Sequence, residues 1–214
     1  MRRIKFDPVA AERHNAARRS EAQAIWSHPW QEPVTDDPNS WVCKYLKTRG
    51  LAQFIGHPAL KSGGSTLLSR VWNVRHGLSA VQHTYINYDG TRDKSQDRKT
   101  VGVMKGGAVW LGSPQPDEWV VVGEGLETVM SAMLLFGCKC GAAVLGPNLK
   151  SVILPRAANR LWIAADNDET GRPAAEAACT HWRLHRGCKV RVSVPDKEGA
   201  DFNDVLLSQE GTRQ

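Results

Sequence analysis

The sequence predicts an α/β protein: a mostly parallel sheet flanked by helices in residues 119–214, preceded by a smaller, basic α+β region in residues 1–118. Three observations carry this. From Trp119 onward short apolar runs alternate with helical patterns in a βαβαβαβ rhythm, which calls for parallel strands joined by right-handed crossovers. Before it, residues 67–111 hold strand-like runs with turn residues between them, the pattern of a small antiparallel sheet. The charge is also divided: residues 1–118 carry 17 Lys and Arg against 11 Asp and Glu, whereas residues 119–214 carry 11 of each.

In chain order, Pro8 to Trp26 reads as a helix with Pro in its first turn, polar enough to be a docking arm. Ser27 to Asn39, with Pro29, Pro33 and Pro38, is a turn-rich connector. Ser40 to Arg49 is a short helix closed by Gly50, with Trp41, Tyr45 and Leu46 as its buried face. Strands are expected at Leu68–His76, Ala80–Tyr88 and Ala108–Leu111, with a turn at Asp89-Gly90 and an exposed, mobile polar loop from Thr91 to Lys99. In the second half the strands are Trp119–Gly123, Gly141–Leu145, Leu161–Ala165 and Lys189–Val194. The intervening helical patterns are Leu126–Phe136, a short turn near Asn148–Leu154, and Arg172–His185.

Composition bounds the function. With 214 residues, 41% hydrophobic, the chain is large enough to bury a core, and its 23% charged residues are not those of a disordered protein. A basic half beside a neutral half with clustered acids suggests a polyanion held by one part and worked on by the other. The five cysteines lack paired Cys-x-x-Cys knuckles, so reduced thiols are expected rather than disulfides or a zinc ribbon. His181 and His185, between Cys179 and Cys188, could make an adventitious zinc site but read by default as part of an ordinary amphipathic helix. The start has no apolar signal core, and the longest apolar region, Val129 to Leu145, is interrupted by Gly137, Lys139 and Gly141. A cytoplasmic protein with no membrane partner is therefore expected.

The chemistry gathers where apolar runs end in acids. Trp119 to Gly123 delivers Glu124, and Leu161 to Ala165 delivers Asp166 and Asp168, placing all three at the carboxyl ends of parallel strands, where open sheets bind ligands. Asp166-Asn167-Asp168-Glu169-Thr170-Gly171 is not a calcium loop, because its twelfth position is Ala177 instead of Glu. Two aspartates one residue apart beyond a strand suit Mg²⁺ or Mn²⁺, hard cations that prefer carboxylate oxygens. The bland alternative is a helix start dressed with acids that favour its dipole. Gly123-Glu124-Gly125 lacks the third glycine of a dinucleotide fingerprint, and no phosphate loop of the NTPase type occurs.

Taken together, Glu124-Gly125, then Asp166, Asp168 and Gly171, resemble the Toprim domain of primases, topoisomerases and some nucleases, across residues 119 to about 207. Gly123 to Thr128 with Ser131, and Gly199-Ala200-Asp201-Phe202-Asn203-Asp204, look especially like the Toprim modules of primases carried by phages, plasmids and other mobile elements. Tyr45 to Leu51 and Lys105 to Val109 are similar to the region preceding Toprim in that group. The resemblance implies a primase-like nucleotidyltransferase that makes short primers on single-stranded DNA from NTPs, by two-metal chemistry with ions roughly 3.5 to 4 Å apart. Asp166 and Asp168 would be metal ligands, with Asp201 or Asp204 completing the site. Glu124 would be general acid/base or a further ligand. Glu127 is either a second acid there or part of the helix's first turn. Arg70, Arg75, Arg92, Arg98, Lys99 and Lys105 are candidates for template or nucleotide phosphates, while Trp72, Trp110 and Tyr85 could stack on bases but are by default core residues. Neither the zinc-binding module nor the helicase part common in such primases is evident, which leaves a stand-alone core, a fragment, or a protein that borrows those activities from a partner such as a helicase or other replication protein. The same acids would also serve a Toprim nuclease, or survive in a non-catalytic DNA-binding regulator of a mobile element.

Overall fold

The computed structural model describes residues 7–146 and 149–211. The elements in order are α1 (Pro8–Trp26), β1 (Glu32–Pro33), α2 (Trp41–Thr48), β2 (Leu60–Ser62), β3 (Thr66–Asn73), β4 (Gly77–Tyr85), β5 (Lys99–Gly102), β6 (Gly107–Leu111), β7 (Trp119–Gly123), α3 (Leu126–Phe136), β8 (Cys140–Ala143), β9 (Arg160–Ala164), α4 (Gly171–Arg186), β10 (Lys189–Ser193) and α5 (Phe202–Gly211). The expected turn near Asn148 starts outside the described residues, and a 3-10 turn follows at Leu149–Ser151.

The helices begin and end where local chemistry dictates. Asp7 caps α1 by accepting from the Val9 and Ala10 amides, with Pro8 in the first turn, and α1 is largely exposed. Gly137 and Gly187 terminate α3 and α4 in the left-handed conformation that a Cβ disfavours. In α3, Leu126 through Met133 are all buried, so most of the helix lies inside the protein and only its last turn reaches the surface. The amphipathic α4 instead buries Ala175, Ala178, Cys179 and Trp182 and keeps His185 outside.

The two halves share one sheet of ten strands, in the order β1-β2-β3-β6-β8-β7-β9-β10, with β4 and β5 continuing from β3. The antiparallel part is thus an extension of the parallel part, not the separate small sheet that local pattern suggested. The reason lies in β6, whose start pairs antiparallel with the end of β3 and whose residues Val109–Leu111 pair antiparallel with β8. The strand at Lys99–Gly102 also revises the expected Thr91–Lys99 loop: it pairs with β4 along an edge. Its last residue, Gly102, has φ +109°, and a methyl there would strike the Ser79 carbonyl oxygen and lie 2.6 Å from the Ala80 Cα. Gly102→Ala is therefore expected to destabilise the protein by about 2 kcal/mol or more, read as a lower urea midpoint at unchanged slope.

In the second half β7 pairs in parallel with β8 on one side and β9 on the other, and β10 adds beyond β9. Strand order therefore reverses direction between β7 and β9, the topological switch point at which open sheets form a crevice. One core cluster packs α2, α3 and α5 against the first face of the sheet, drawing Tyr45 and Leu46 together with Val129, Met130 and Leu206. Opposite, α4 covers the parallel strands through Trp182 and Ala178, while α1 covers β3 and β4 through Ala22 and Trp26. No helix among the described residues is long and apolar enough to cross a membrane.

Candidate active site

The switch point brings the expected acids to one edge. Glu124 follows β7 directly, Asp166 lies just beyond β9, and Asp201 immediately precedes α5. Glu124 Oε1 is buried and has no hydrogen-bond partner among the described residues. Burial, then the charges of Asp166 and Asp168, push the Glu124 carboxyl up to about 7. Asp166 is pushed up to about 6 by burial, then by Asp201, against a hydrogen bond from the Thr128 hydroxyl at 3.3 Å. These are groups short of a counter-charge.

Asp168 is different. Its Oδ1 accepts from the Gly171 amide at 2.6 Å and from the Thr170 amide and hydroxyl, which hold its carboxyl below the usual range. That arrangement builds the start of α4 and leaves Oδ2 free of any such bond. Asp201 and Asp204 cap α5 reciprocally: the Asp204 amide donates to Asp201 Oδ1 at 2.9 Å, and the Asp201 amide to Asp204 Oδ2 at 3.2 Å. Asp201 is half-buried and its carboxyl is raised, mainly by burial, whereas Asp204 is exposed. Of the two expected alternatives, Asp201 is therefore the one coupled to Asp166.

Between the aspartates, Asn167 turns inward. Its side-chain amide donates to the Pro195 carbonyl at 2.7 Å, and its oxygen accepts from the Arg172 guanidinium. Its backbone pairs with Ala200 and Gly199, which ties the end of β9 to the segment leading into Asp201. The fully buried Asn203 does the same at a second point. It donates to the Arg49 carbonyl and the Ser131 hydroxyl and accepts from the Arg49 guanidinium at 3.1 Å.

Glu127 settles between its two readings as neither a free acid nor a mere dipole partner. It is buried and accepts from the Tyr45 hydroxyl and from Arg98 at 2.7 Å. Burial alone would raise its carboxyl, but Arg98 and the tyrosine hydroxyl hold it low. The Tyr45 hydroxyl is correspondingly raised by burial and by Glu127.

The six expected basic residues fall into separate places. Arg98 is committed to Glu127 beside the acids. Lys99 lies exposed on β5, and Arg92 donates to the Gln96 carbonyl at 3.5 Å. Lys105 lines a cleft of about 360 Å³ with Arg18 and Asn15 of α1, an arginine that sequence reasoning had placed only in a polar docking arm. The Lys105 loop adjoins the acid edge: Met104 faces Gly146, while the Leu145 amide donates to the Glu124 carbonyl at 2.8 Å. Arg70 and Arg75 lie elsewhere. Arg70 is on the sheet face beneath α1, and Arg75 is exposed on the turn after β3.

Residues 119–212 match the Toprim domain family. That segment is a little under half of the chain, and its resemblance is to the Toprim domain. No curated protein is matched by the chain's sequence. In structure, the chain is similar to a DNA primase domain from Pseudomonas aeruginosa, with TM-score 0.55 and 17% identity over 94% of this chain and 76% of that one. A DnaG primase catalytic domain bound to ssDNA gives TM-score 0.59 and 17% identity over 95% and 77%. The primase fragment of the bacteriophage T7 primase-helicase protein gives 0.52 and 21% over 79% and 72%. These likenesses are of fold, and they extend through the region before the Toprim domain.

Does the Toprim edge suit a divalent metal? The orphaned Glu124 oxygen and the raised Asp166 and Asp201 carboxyls are what an acid cluster looks like when its cation is not counted. Among the described residues no three His, Cys, Asp or Glu are placed to hold a metal ion by themselves, so these carboxylates suit an ion such as Mg²⁺ that takes one or two of them plus waters and substrate phosphates. The donor set fits.

Proposed function

We propose that this Toprim-domain protein is a primase-like nucleotidyltransferase, joining NTPs into short oligonucleotides on single-stranded DNA by metal-dependent phosphoryl transfer. The observation that carries the reading is the half-buried Glu124 at the switch point, whose Oε1 is buried without a hydrogen-bond partner among the described residues and which feels the charge of Asp166. Asp166, Asp168 and Asp201 would hold Mg²⁺ or Mn²⁺, with Asp204 shaping the turn. When bound, the metal supplies charge stabilisation at the phosphoryl oxygens and lowers the pKa of a coordinated hydroxyl. Glu124, placed by burial near neutrality, takes the proton from the attacking hydroxyl as general base. Lys105 and Arg18, on the cleft beside that edge, neutralise nucleotide or template phosphates. Residues 1–118 thus serve as the polyanion-holding region and 119–214 as the catalytic one. A helicase or other replication protein fits as a partner that delivers the single strand.

Incubation with single-stranded DNA, labelled NTPs and Mn²⁺ tests the reading. Template-dependent oligonucleotides are expected, and their absence across templates sinks it. Cleavage of DNA or RNA without NTPs would put hydrolysis in place of synthesis. Salt-sensitive DNA binding with no product of either kind would make the protein a regulator.

Metal binding has its own signature. Glu124 and Asp166 titrate higher in the folded protein than their ordinary values of 4.5 and 3.8, so between about pH 4 and 7 the folded state holds more protons than the unfolded. Stability therefore falls as pH rises through that window. A cation that replaces those protons should raise the melting temperature by several degrees at pH 8 and much less at pH 5.5. Calorimetry with and without Mn²⁺ checks this, and an equal effect at both pH values would exclude these carboxylates as the ligands.

A further inference from the structure

A cleft of about 440 Å³ opens on the sheet face opposite α3, lined by His57, Arg70, Trp72, Val74, Trp110 and Pro114 among others. Its placement follows from the strand alternation. Val71 points into the core with α2 and α3, so Arg70 and Trp72 point the other way, where Trp110 packs with the α4 cluster and Trp26 of α1 covers Arg70. Between α1 and α4 the sheet face is left bare. Pro114 lies beyond β6, whose last residue pairs with Gly141 near the start of β8, and so at the end of the sheet remote from Glu124.

The lining is unusual in what it leaves unused. Trp72 is 43% exposed and Val74 46%, although both are large apolar groups on a β-strand face and its margin. The Arg70 guanidinium lies 5.4 Å from the Trp72 ring centroid and 5.7 Å from that of Trp26, which fixes its plane. Its Nε is buried without a hydrogen-bond partner, and among the described residues no carboxylate pairs with it. His57 on the cleft wall is held neutral by burial and then by Arg70, so it adds a hydrogen-bonding group without competing charge. The site offers one unneutralised cation, an open indole face and no acid. Arg75, exposed on the turn past Val74, and Arg156, exposed next to Pro155, extend the positive margin on two sides.

A planar aromatic group joined to an anion satisfies both features at once, and a nucleotide unit is that combination. A lone mononucleotide at this distance from the acids could not react there, whereas a strand could continue from it along the positive margin. We propose that the cleft is a docking subsite for single-stranded nucleic acid, with a base stacked on Trp72 and an adjoining phosphate on Arg70. It deepens the reading of the chain as acting on a single strand, and rests on it for the identity of the ligand. The subsite holds the strand away from the reaction edge and contributes affinity rather than chemistry.

Fluorescence anisotropy of a labelled oligo(dT), with the full chain and in EDTA to silence catalysis, tests it. Because Trp72 is partly exposed, Trp72→Ala should fold with an unchanged melting temperature and weaken binding about tenfold, the loss of one base–aromatic stack. Trp72→Phe should keep most of the affinity. Ultraviolet cross-linking of an oligonucleotide carrying 5-iododeoxyuridine should mark Trp72 or Trp110. Unchanged affinity of Trp72→Ala with no cross-link in this cleft overturns the subsite, and if template-dependent synthesis persists the proposed activity stands without it. Trp72-dependent binding without any product keeps the subsite and removes the synthesis. If ATP binds with the same Trp72 dependence and displaces the strand completely, the cleft is a mononucleotide site and the strand assignment is overturned.

Discussion

Glu124→Gln should lower oligonucleotide synthesis by about a hundredfold or more, the usual contribution of a general base, without harming the fold. The amide matches the carboxylate in shape but cannot accept the proton. Stability provides the internal control. Glu124 is half-buried, lies in the field of Asp166 and Asp168, and its buried Oε1 lacks a partner among the described residues. Removing the charge should therefore leave the melting temperature at pH 8 equal to that of the parent or higher. A variant that melts normally and still synthesises at the parent rate would remove Glu124 from the chemistry.

Arg98→Ala should produce the largest loss of stability, about 3 kcal/mol at pH 7, because it strands the buried Glu127 charge with only the Tyr45 hydroxyl for company. The pH dependence separates this cause from simple loss of packing. With Arg98 present, the depressed Glu127 carboxyl contributes stability above its unfolded value of 4.5, lost as pH falls through the lower folded value. Without Arg98 the buried carboxyl has reason to stay protonated, so the deficit should shrink as pH approaches 5. Urea unfolding at pH 7 and pH 5 reads both numbers. An equal deficit at the two values would mean that Arg98 acts through its aliphatic stem alone.

The acids were legible in the sequence because they terminate apolar strands, and a strand of period two announces its own end. What that pattern could not show was their accounting. Whether Glu127 is free depends on Tyr45 and Arg98, 82 and 29 residues away in the chain. Asn167 and Asn203 read as ordinary polar residues within acidic motifs, yet each is buried by partners from distant segments; Arg49 lies 154 positions from Asn203. Short elements escaped for a related reason. The edge strand Lys99–Gly102 begins inside a charged stretch, and α5 is a single polar-flanked run whose start is visible only through the Asp201 and Asp204 reciprocal cap. Charge asymmetry set a basic half beside a neutral one. It gave no hint that its arginines would divide between the acid edge and the opposite face.

The pairing of β6 with both β3 and β8 has a consequence for how the molecule is made. As the chain leaves the ribosome, β6 emerges well before β8, so its outer backbone edge waits without a mate while the first strand of the Toprim half is synthesised. The seam closes only when Cys140 to Ala143 arrive, and the basic and neutral stretches are then expected to melt as one body.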